Sequence, residues 1–416
     1  MSDIFQICIL SLGHRHITAM IAEIREDESM FVQSVYRVDS VGIRGGKVVE
    51  INELCDAIKR VVSHVENQTD CRVDGVWLCI SHPDMVSQNC VGEVVLGGAQ
   101  ITTEHICDAF TKAKSQILEP DSYVVSHRVQ GTELDYAEPL KNDPIGMHAD
   151  VMRRYHHVMT LPVLDFQNLQ SVMHRAGYRI DRLVFSQFAS GEYALLEEER
   201  QGGVCVVDIG HETTSIAVFA GDALVHSACL PVGAGQVTAD ISTILNIPTA
   251  QAEKLKHQRG TLDLSSASPT KNINLSKSKN SESVTHHKLA LIINARYREI
   301  LIAVFQELAD KESLGLLKHG LVYCGGGSRM SGFAGFTQGF TGQMTHIANF
   351  PEQIKFADEL TNQLNHFSYQ SVCGTLKYSQ SKHHAQSIMS EEAEQHWFSG
   401  FVRFYQRLVE KLRLLF

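Results

Sequence analysis

Apolar positions along the chain fall into short continuous runs, which read as strands, and helically spaced stripes, which read as amphipathic helices. Ile7 to Glu23 (ICILSLGHRHITAMIAE) lies on Val204 to Ala220 (VCVVDIGHETTSIAVFA) without a gap. Each is a β-rich run, a turn centred on Gly-His and a second β-rich run, so that Cys8 meets Cys205, Gly13 meets Gly210 and His14 meets His211. Any two hairpins with a glycine turn share this outline; the other reading is a duplicated α/β domain whose halves each open with a hairpin. Glu50 to His64 puts Ile51, Leu54, Ile58, Val61 and Val62 on one helical face, and Phe166 to Arg175 repeats the style. Val73 to Ser81 and Arg182 to Ser186 read as buried strands. Strands alternating with helices predict an α/β fold.

The texture changes between Cys90 and Thr160, where GEVVLGG, YVVSHRVQGTELDY and YHHVMTLPV read as strands around one helix, Thr103 to Leu118. This predicts a small inserted α+β unit. Gly260 to His287 is dominated by Ser, Asn, Lys and Thr, which cannot bury enough surface to order fully, and reads as an exposed hairpin tip or loop. Ser379 to Gln395 reads as a linker.

With 416 residues, 44% apolar and 20% charged, the chain has room for two to three domains of ordinary soluble composition. Its net charge of −10 argues against nucleic acid as a partner. The ten cysteines are scattered, never spaced C-x-x-C, and read as buried reduced thiols rather than a zinc site or a disulfide framework. The N-terminus lacks the pattern of a signal peptide, and no window is long and apolar enough to span a bilayer, so a cytoplasmic location is expected.

Three glycine loops follow strands: Ser11-Leu12-Gly13-His14, Asp208-Ile209-Gly210-His211-Glu212-Thr213-Thr214 and Cys324-Gly325-Gly326-Gly327-Ser328. Glycine turns let backbone N–H groups approach phosphate oxygens, a Thr hydroxyl adds a donor, and an Asp at a strand end can hold Mg²⁺ through water. Taken singly, each loop reads as a tight turn. In this order they resemble the phosphate 1, phosphate 2 and adenosine motifs of the actin-like ATPase superfamily and, within it, the FtsA family of bacterial cell-division proteins. That resemblance runs from about residue 4 to residue 378, densest over 188–210, Ala252-Glu253-x-x-Lys256 and 321–332.

The resemblance implies an actin-like two-lobed fold of duplicated ribonuclease-H-like domains, an inserted α+β subdomain and a C-terminal amphipathic helix, with ATP in the cleft. It divides the chain into the first lobe (1–86 and 161–202), the insert (87–160), the second lobe (203–238), its subdomain (239–318, with the polar loop 260–287), the rest of the second lobe with a return to the first (319–378), a linker (379–396) and the terminal helix (397–416). Carried over, Gly13, His14, Asp208, Gly210, Thr213 and Thr214 lie by the phosphates. Glu253 and Lys256 face the ribose from one side of a helix, and Gly325, Gly326, Gly327 and Ser328 back the adenosine; without the surrounding motifs, the Glu253 and Lys256 pair would read as a solvated surface pair.

Departures concentrate at the phosphate end. Where the family has an acidic residue, Gly, Thr and a downstream Lys, this chain has Ser11, Gly13, His14 and His16. At the second loop His211 and Glu212 replace glycines, and Ser215 replaces the Asp after Thr-Thr. A Glu212 carboxylate at about 4 Å from a phosphate would cost several kcal/mol in a partly buried setting. Protonated His14, His16 and His211 would offset it; the plainer reading is three polar loop-tip residues. Nucleotide binding with slow or absent hydrolysis is therefore expected, with no catalytic base to name. Magnesium is in question, and no metal site is expected from the remaining histidine pairs.

Trp397 to Phe416 (WFSGFVRFYQRLVEKLRLLF) places Trp397, Phe401, Phe404, Tyr405, Leu408, Leu412 and Leu415 on one helical stripe, with Phe398 beside it. Arg403, Arg407, Lys411 and Arg413 against Glu410 give a local charge of +3. A charge every few positions excludes a bilayer span and predicts a helix lying among anionic headgroups, each basic group contributing about 1 kcal/mol. Docking of this helix on a protein groove is the competing reading, and the polar linker favours the membrane. The resemblance implies attachment to the cytoplasmic face of the inner membrane at the septum, tethering of the tubulin-like FtsZ through roughly Ala239 to Glu312, head-to-tail self-association, and recruitment of later division proteins through the insert. The alternatives are an ATP-hydrolysing enzyme of the superfamily, against which Ser11, His16 and Ser215 speak, and a PilM-like pilus-assembly adaptor, from which the amphipathic tail separates the chain.

Overall fold

The first apolar run forms the expected hairpin. Strand β1 (Phe5–Leu12) pairs antiparallel with β2 (His16–Ile24), and β2 with β3 (Met30–Asp39). The computed structural model describes residues 5–25, 29–117, 121–140, 143–274, 283–349, 354–357, 360 and 369–381. Among these, one compact unit lies within 1–84, 167–222 and 226–376, and a second within 85–166, 223–225 and 377–416. Both lobes read from the sequence therefore fall in one contact unit.

In the first unit, a short ribbon of β4 (Ile43–Arg44) and β5 (Lys47–Val48) precedes helix α1 (Ile51–Thr69). Helix α1 buries Leu54, Ile58, Val61, Val62 and Val65 on β2 and β3, each contributing about 1.5–3 kcal/mol. Ile51, at the helix start, is only half-buried. Strand β6 (Gly75–Ile80) then runs parallel to β1 on its free side.

The second unit has β7 (Val86–Val95), α2 (Thr103–Lys114), β8 (Ser122–Leu134) and β9 (Val151–Pro162) in an antiparallel sheet of order β7-β9-β8 with α2 on it. Its core joins Val94, Ile106, Ala109 and Met152, with Cys90, Phe110 and Val158 beside them. Helix and sheet approach so closely at Gly92 that a Cβ there would overlap the Ala109 carbonyl. The helix ends at Lys114 rather than Leu118; the C-cap Ser115 spends its N–H on the Thr111 carbonyl and its hydroxyl on the Lys112 carbonyl.

After α3 (Val163–Ala176), the chain adds β10 (Arg179–Phe185) parallel to β6, then α4 (Ser186–Ala194) and α5 (Glu197–Gly202). The second hairpin follows as β11 (Val204–Ile209) and β12 (Thr214–Ala220), and Gly221-Asp222, both at positive φ, turns the chain into β13 (Ala223–Leu230). Next come α6 (Ala234–Leu245), α7 (Thr249–Arg259), the β14 (Asn272–Asn274) and β15 (Ser283–Thr285) ribbon, and α8 (His286–Asp310). Strand β16 (Leu321–Cys324), α9 (Phe333–Thr341), β17 (Thr345–Ile347), β18 (Ile354–Phe356) and α10 (Gln370–Ser379) complete the described elements.

The two large sheets repeat one plan. Read as β3-β2-β1-β6-β10 and β13-β12-β11-β16-β17, each centres on the first strand of a hairpin, with parallel strands on the far side; β18 extends the first beyond β3. Register repeats with topology. Ser11 lies opposite Thr18 and beside Cys79, and Asp208 lies opposite Ser215 and beside Cys324. The duplicated α/β architecture is present.

The polar stretch from Gly260 does form a ribbon, β14 with β15, but its start is not exposed. Leu262 and Ala267 are each 2% exposed, and the Leu262 N–H donates to the Ser331 carbonyl. All ten cysteines are free thiols, nine buried and Cys71 half-buried. No described helix is long and apolar enough to cross a membrane. The amphipathic helix expected over 397–416, with Trp397, Phe398, Phe401, Arg403, Phe404, Arg407, Leu408, Lys411, Leu412, Arg413 and Leu415, lies outside the described residues, as does most of the linker.

Candidate functional site

Both hairpins turn at their glycine in the same way. The Gly13 N–H donates to the His16 carbonyl at 3.1 Å, and the Gly210 N–H to the Thr213 carbonyl at 2.9 Å. The two turns face one cavity of about 660 Å³, a volume ordinary for a small-molecule site. The cavity also takes in Ser11, His14, Thr213, Asp208, Glu253, Lys256, Gly325, Gly326 and Gly327. Thr213 Oγ1 lies 3.3 Å from His14 Nδ1 and so links the turns.

The glycine triplet follows β16, which lies beside β11. Gly325 has a φ of 81°, and a Cβ there would collide with Asp208 Oδ1 and the Ile209 carbonyl. Gly326 faces open space, while the Gly327 carbonyl accepts from the buried Tyr297 hydroxyl at 2.7 Å. The triplet is thus a flat main-chain surface held from behind. Ser328 is fully buried, its hydroxyl donating to the Gly325 carbonyl at 2.8 Å, so it shapes the loop and does not line the cavity. Thr214 is likewise buried and donates to the Val232 carbonyl at 2.7 Å.

Glu253 and Lys256, one turn apart on α7, both line the cavity and pair at 2.7 Å. Lys256 Nζ also donates to Thr238 Oγ1 at 2.7 Å and to the Ala234 carbonyl at 3.1 Å, and Thr238 donates to Glu253. Burial works to raise the Glu253 pKa, yet hydrogen bonds from Lys256 and Thr238 prevail and bring it down to about 2. Lys256 is therefore a buried, paired cation rather than a solvated surface group.

Two residues that the sequence did not single out complete this side. Asp208 Oδ2 accepts from Ser190 Oγ and from Gln370 Nε2, each at 2.7 Å, while Gln370 Oε1 accepts from the Gly325 N–H at 3.1 Å. Burial raises the Asp208 pKa against those two hydrogen bonds. Gln370 comes from the last described helix, and no local motif marks it.

Charge at the phosphate end differs from the sequence reading. Glu212 does not line the cavity; its Oε2 accepts from the Gly45 N–H at 2.6 Å, on the turn between β4 and β5. Burial lowers the pKa of His14 and of His211, and burial with Arg37 and Arg15 takes His16 down to about 4. These shifts work against the protonated forms that would offset a carboxylate at this end. Arg15 and Arg37 line the cavity instead.

The match to known families follows these elements. Residues 205–374 match the model of the cell division protein FtsA, and residues 84–160 match the SHS2 domain inserted in FtsA. A cell division protein FtsA from Neisseria meningitidis serogroup B is 30% identical over 338 residues, 80% of this chain and 81% of that protein. The chain belongs to the FtsA family. Its fold is also that of more distant solved structures. The PilM-PilN type IV pilus biogenesis complex superposes with a TM-score of 0.62 at 16% identity, covering 90% of this chain and 98% of the other. MreB5 of Spiroplasma citri bound to ADP does so with a TM-score of 0.53 at 13% identity, covering 94% and 99%. This member of the FtsA family is thus an actin-like cell-division protein whose second unit spans the family's insert.

An adenine nucleotide fits the cavity: two glycine turns close together, a glycine triplet in which Gly326 faces open space, and Arg15 and Arg37 among the lining residues. Magnesium does not fit as well. Residues 11 and 215 offer hydroxyls, Ser215 donating to Cys229 Sγ at 3.6 Å and Ser11 lying 3.2 Å from Ser371 Oγ, which leaves Asp208, its Oδ2 accepting from Ser190 and Gln370, as the only carboxylate among residues 11, 208 and 215.

Proposed function

We propose that the chain is a nucleotide-binding adaptor of the division septum that holds the FtsZ ring at the cytoplasmic face of the inner membrane. The observation that carries this reading is the convergence of Gly13, Gly210 and Gly325 to Gly327 on one cavity. Nucleotide in that cavity supports the fold and head-to-tail self-association, an unclosed contact of the kind that generates filaments. ADP in the MreB5 neighbour supports the same use of the site. Hydrolysis is slow or absent, because Ser11, His16 and Ser215 stand where the chemistry needs acidic or phosphate-facing groups.

The membrane half of the proposal rests on the segment 397–416, whose aromatic and leucine stripe and local charge of +3 suit anionic lipid. Residues 239–318 are the proposed FtsZ-binding subdomain, and residues 87–160 the surface for later division proteins. Membership of the FtsA family favours this reading over a pilus-assembly adaptor. Co-sedimentation with anionic vesicles, with and without ATP, tests it on the full chain and on a chain ending at Gln395. Binding by the full chain alone is expected; equal binding by both removes the tail as anchor.

A further inference from the structure

Ser11, Thr18 and Arg37 lie opposite one another on β1, β2 and β3, so their side chains share one face of the first sheet, and all three line the cavity. In the second sheet the position equivalent to Ser11 is Asp208, as the pairing of Ser11 with Thr18 and of Asp208 with Ser215 shows. The first sheet therefore lacks the carboxylate and carries a guanidinium two strands away in the same row. That guanidinium stacks on the Tyr369 ring, its carbon 5.1 Å from the ring centroid. Arg37 is half-buried, and its Nη1 is buried with no hydrogen-bond partner among the described residues. A buried, unpaired charged donor is costly unless a ligand completes it.

The surroundings narrow what that ligand is. Lys256 is committed to Glu253, Thr238 and Ala234, and the Glu212 carboxylate is held by Gly45. A planar fork of donors beside the Gly13 turn suits phosphate oxygens, which a guanidinium binds bidentately. We propose that Arg37, with Arg15 at the turn, neutralises the polyphosphate of a nucleoside di- or triphosphate in place of a divalent metal, so that this chain binds nucleotide without magnesium. The inference rests on the nucleotide reading of the cavity proposed above.

The test measures ATP, ADP and adenosine binding to the full chain in magnesium and in EDTA, with Arg37→Ala, Arg37→Lys and Ser11→Asp variants whose folding is checked by circular dichroism. Wild-type affinity for ATP is expected to change less than about threefold on removing magnesium, and Arg37→Ala to weaken ATP by about tenfold, the size of one charge-assisted contact. Adenosine affinity stays the same in that variant, Arg37→Lys recovers part of the loss, and Ser11→Asp makes ATP binding depend on magnesium. Loss of wild-type ATP binding in EDTA, with Arg37→Ala unchanged, overturns the inference and leaves the nucleotide site standing. Failure of ATP to bind in either buffer overturns the nucleotide site and the inference together.

Discussion

At residue 208 the second hairpin carries a carboxylate that Ser190 and Gln370 hold in place, whereas at residue 11 the first carries a hydroxyl, with Arg37 in the same row. The backbones of the two hairpins are the same. Each glycine N–H closes on the carbonyl three residues on, and the strand register is repeated position by position. A phosphate cradle requires a tight turn whose backbone a phosphate can approach, and that turn depends on register and glycine rather than on the side chains of the flanking strands. Charge is carried by those side chains, so it can change sign in one half while the cradle persists.

The strongest way to break the second half is at its closest packing. Gly325→Ala places a Cβ against Asp208 and Ile209 at a left-handed φ and is expected to lower unfolding free energy by about 2–4 kcal/mol in urea denaturation. Gly326→Ala, facing open space, should cost under about 1 kcal/mol. Equal losses would mean that the triplet is not pressed on β11.

A smaller effect separates the two acids of the cavity by the sign of their pH dependence. Glu253, held near 2 in the folded chain against an ordinary 4.5, contributes stability that is present above 4.5 and lost as pH falls towards 2. Asp208, with a raised pKa, behaves oppositely: its contribution is greatest in acid and declines as pH rises through its folded pKa. Stability measured against pH should therefore flatten on the acid side in Glu253→Gln, while Asp208→Asn should gain relative to wild type as pH rises towards neutrality.

The smallest effect sharpens the first half. Arg37 adds to burial in lowering the His16 pKa to about 4, so Arg37→Ala should raise it part of the way towards 6.5, read from the imidazole proton shifts. An unchanged value would place Arg37 away from the His16 turn.

Both hairpins and the glycine triplet were legible in the sequence because each depends on a local pattern, an apolar run broken by glycine. The pairing of Glu253 with Lys256 was legible in part, as a same-face helical spacing, although the burial of Lys256 was not. Arg37 was not legible because its place beside Ser11 is set by register across three strands, and nothing around VYRVDS marks it. Gln370 joins Asp208 from 162 residues away. Glu212 points away from the cavity because its carboxylate accepts from the Gly45 N–H, 167 residues distant, which nothing local to it shows.

The most direct measurement is a crystal structure of the full chain with ATP and magnesium. The expected result is the Arg37 guanidinium on the phosphate oxygens, the base along Gly325 to Gly327, and no metal between phosphate and protein. A magnesium ion bound through Asp208, with Arg37 still stacked on Tyr369 and touching no phosphate, would contradict it.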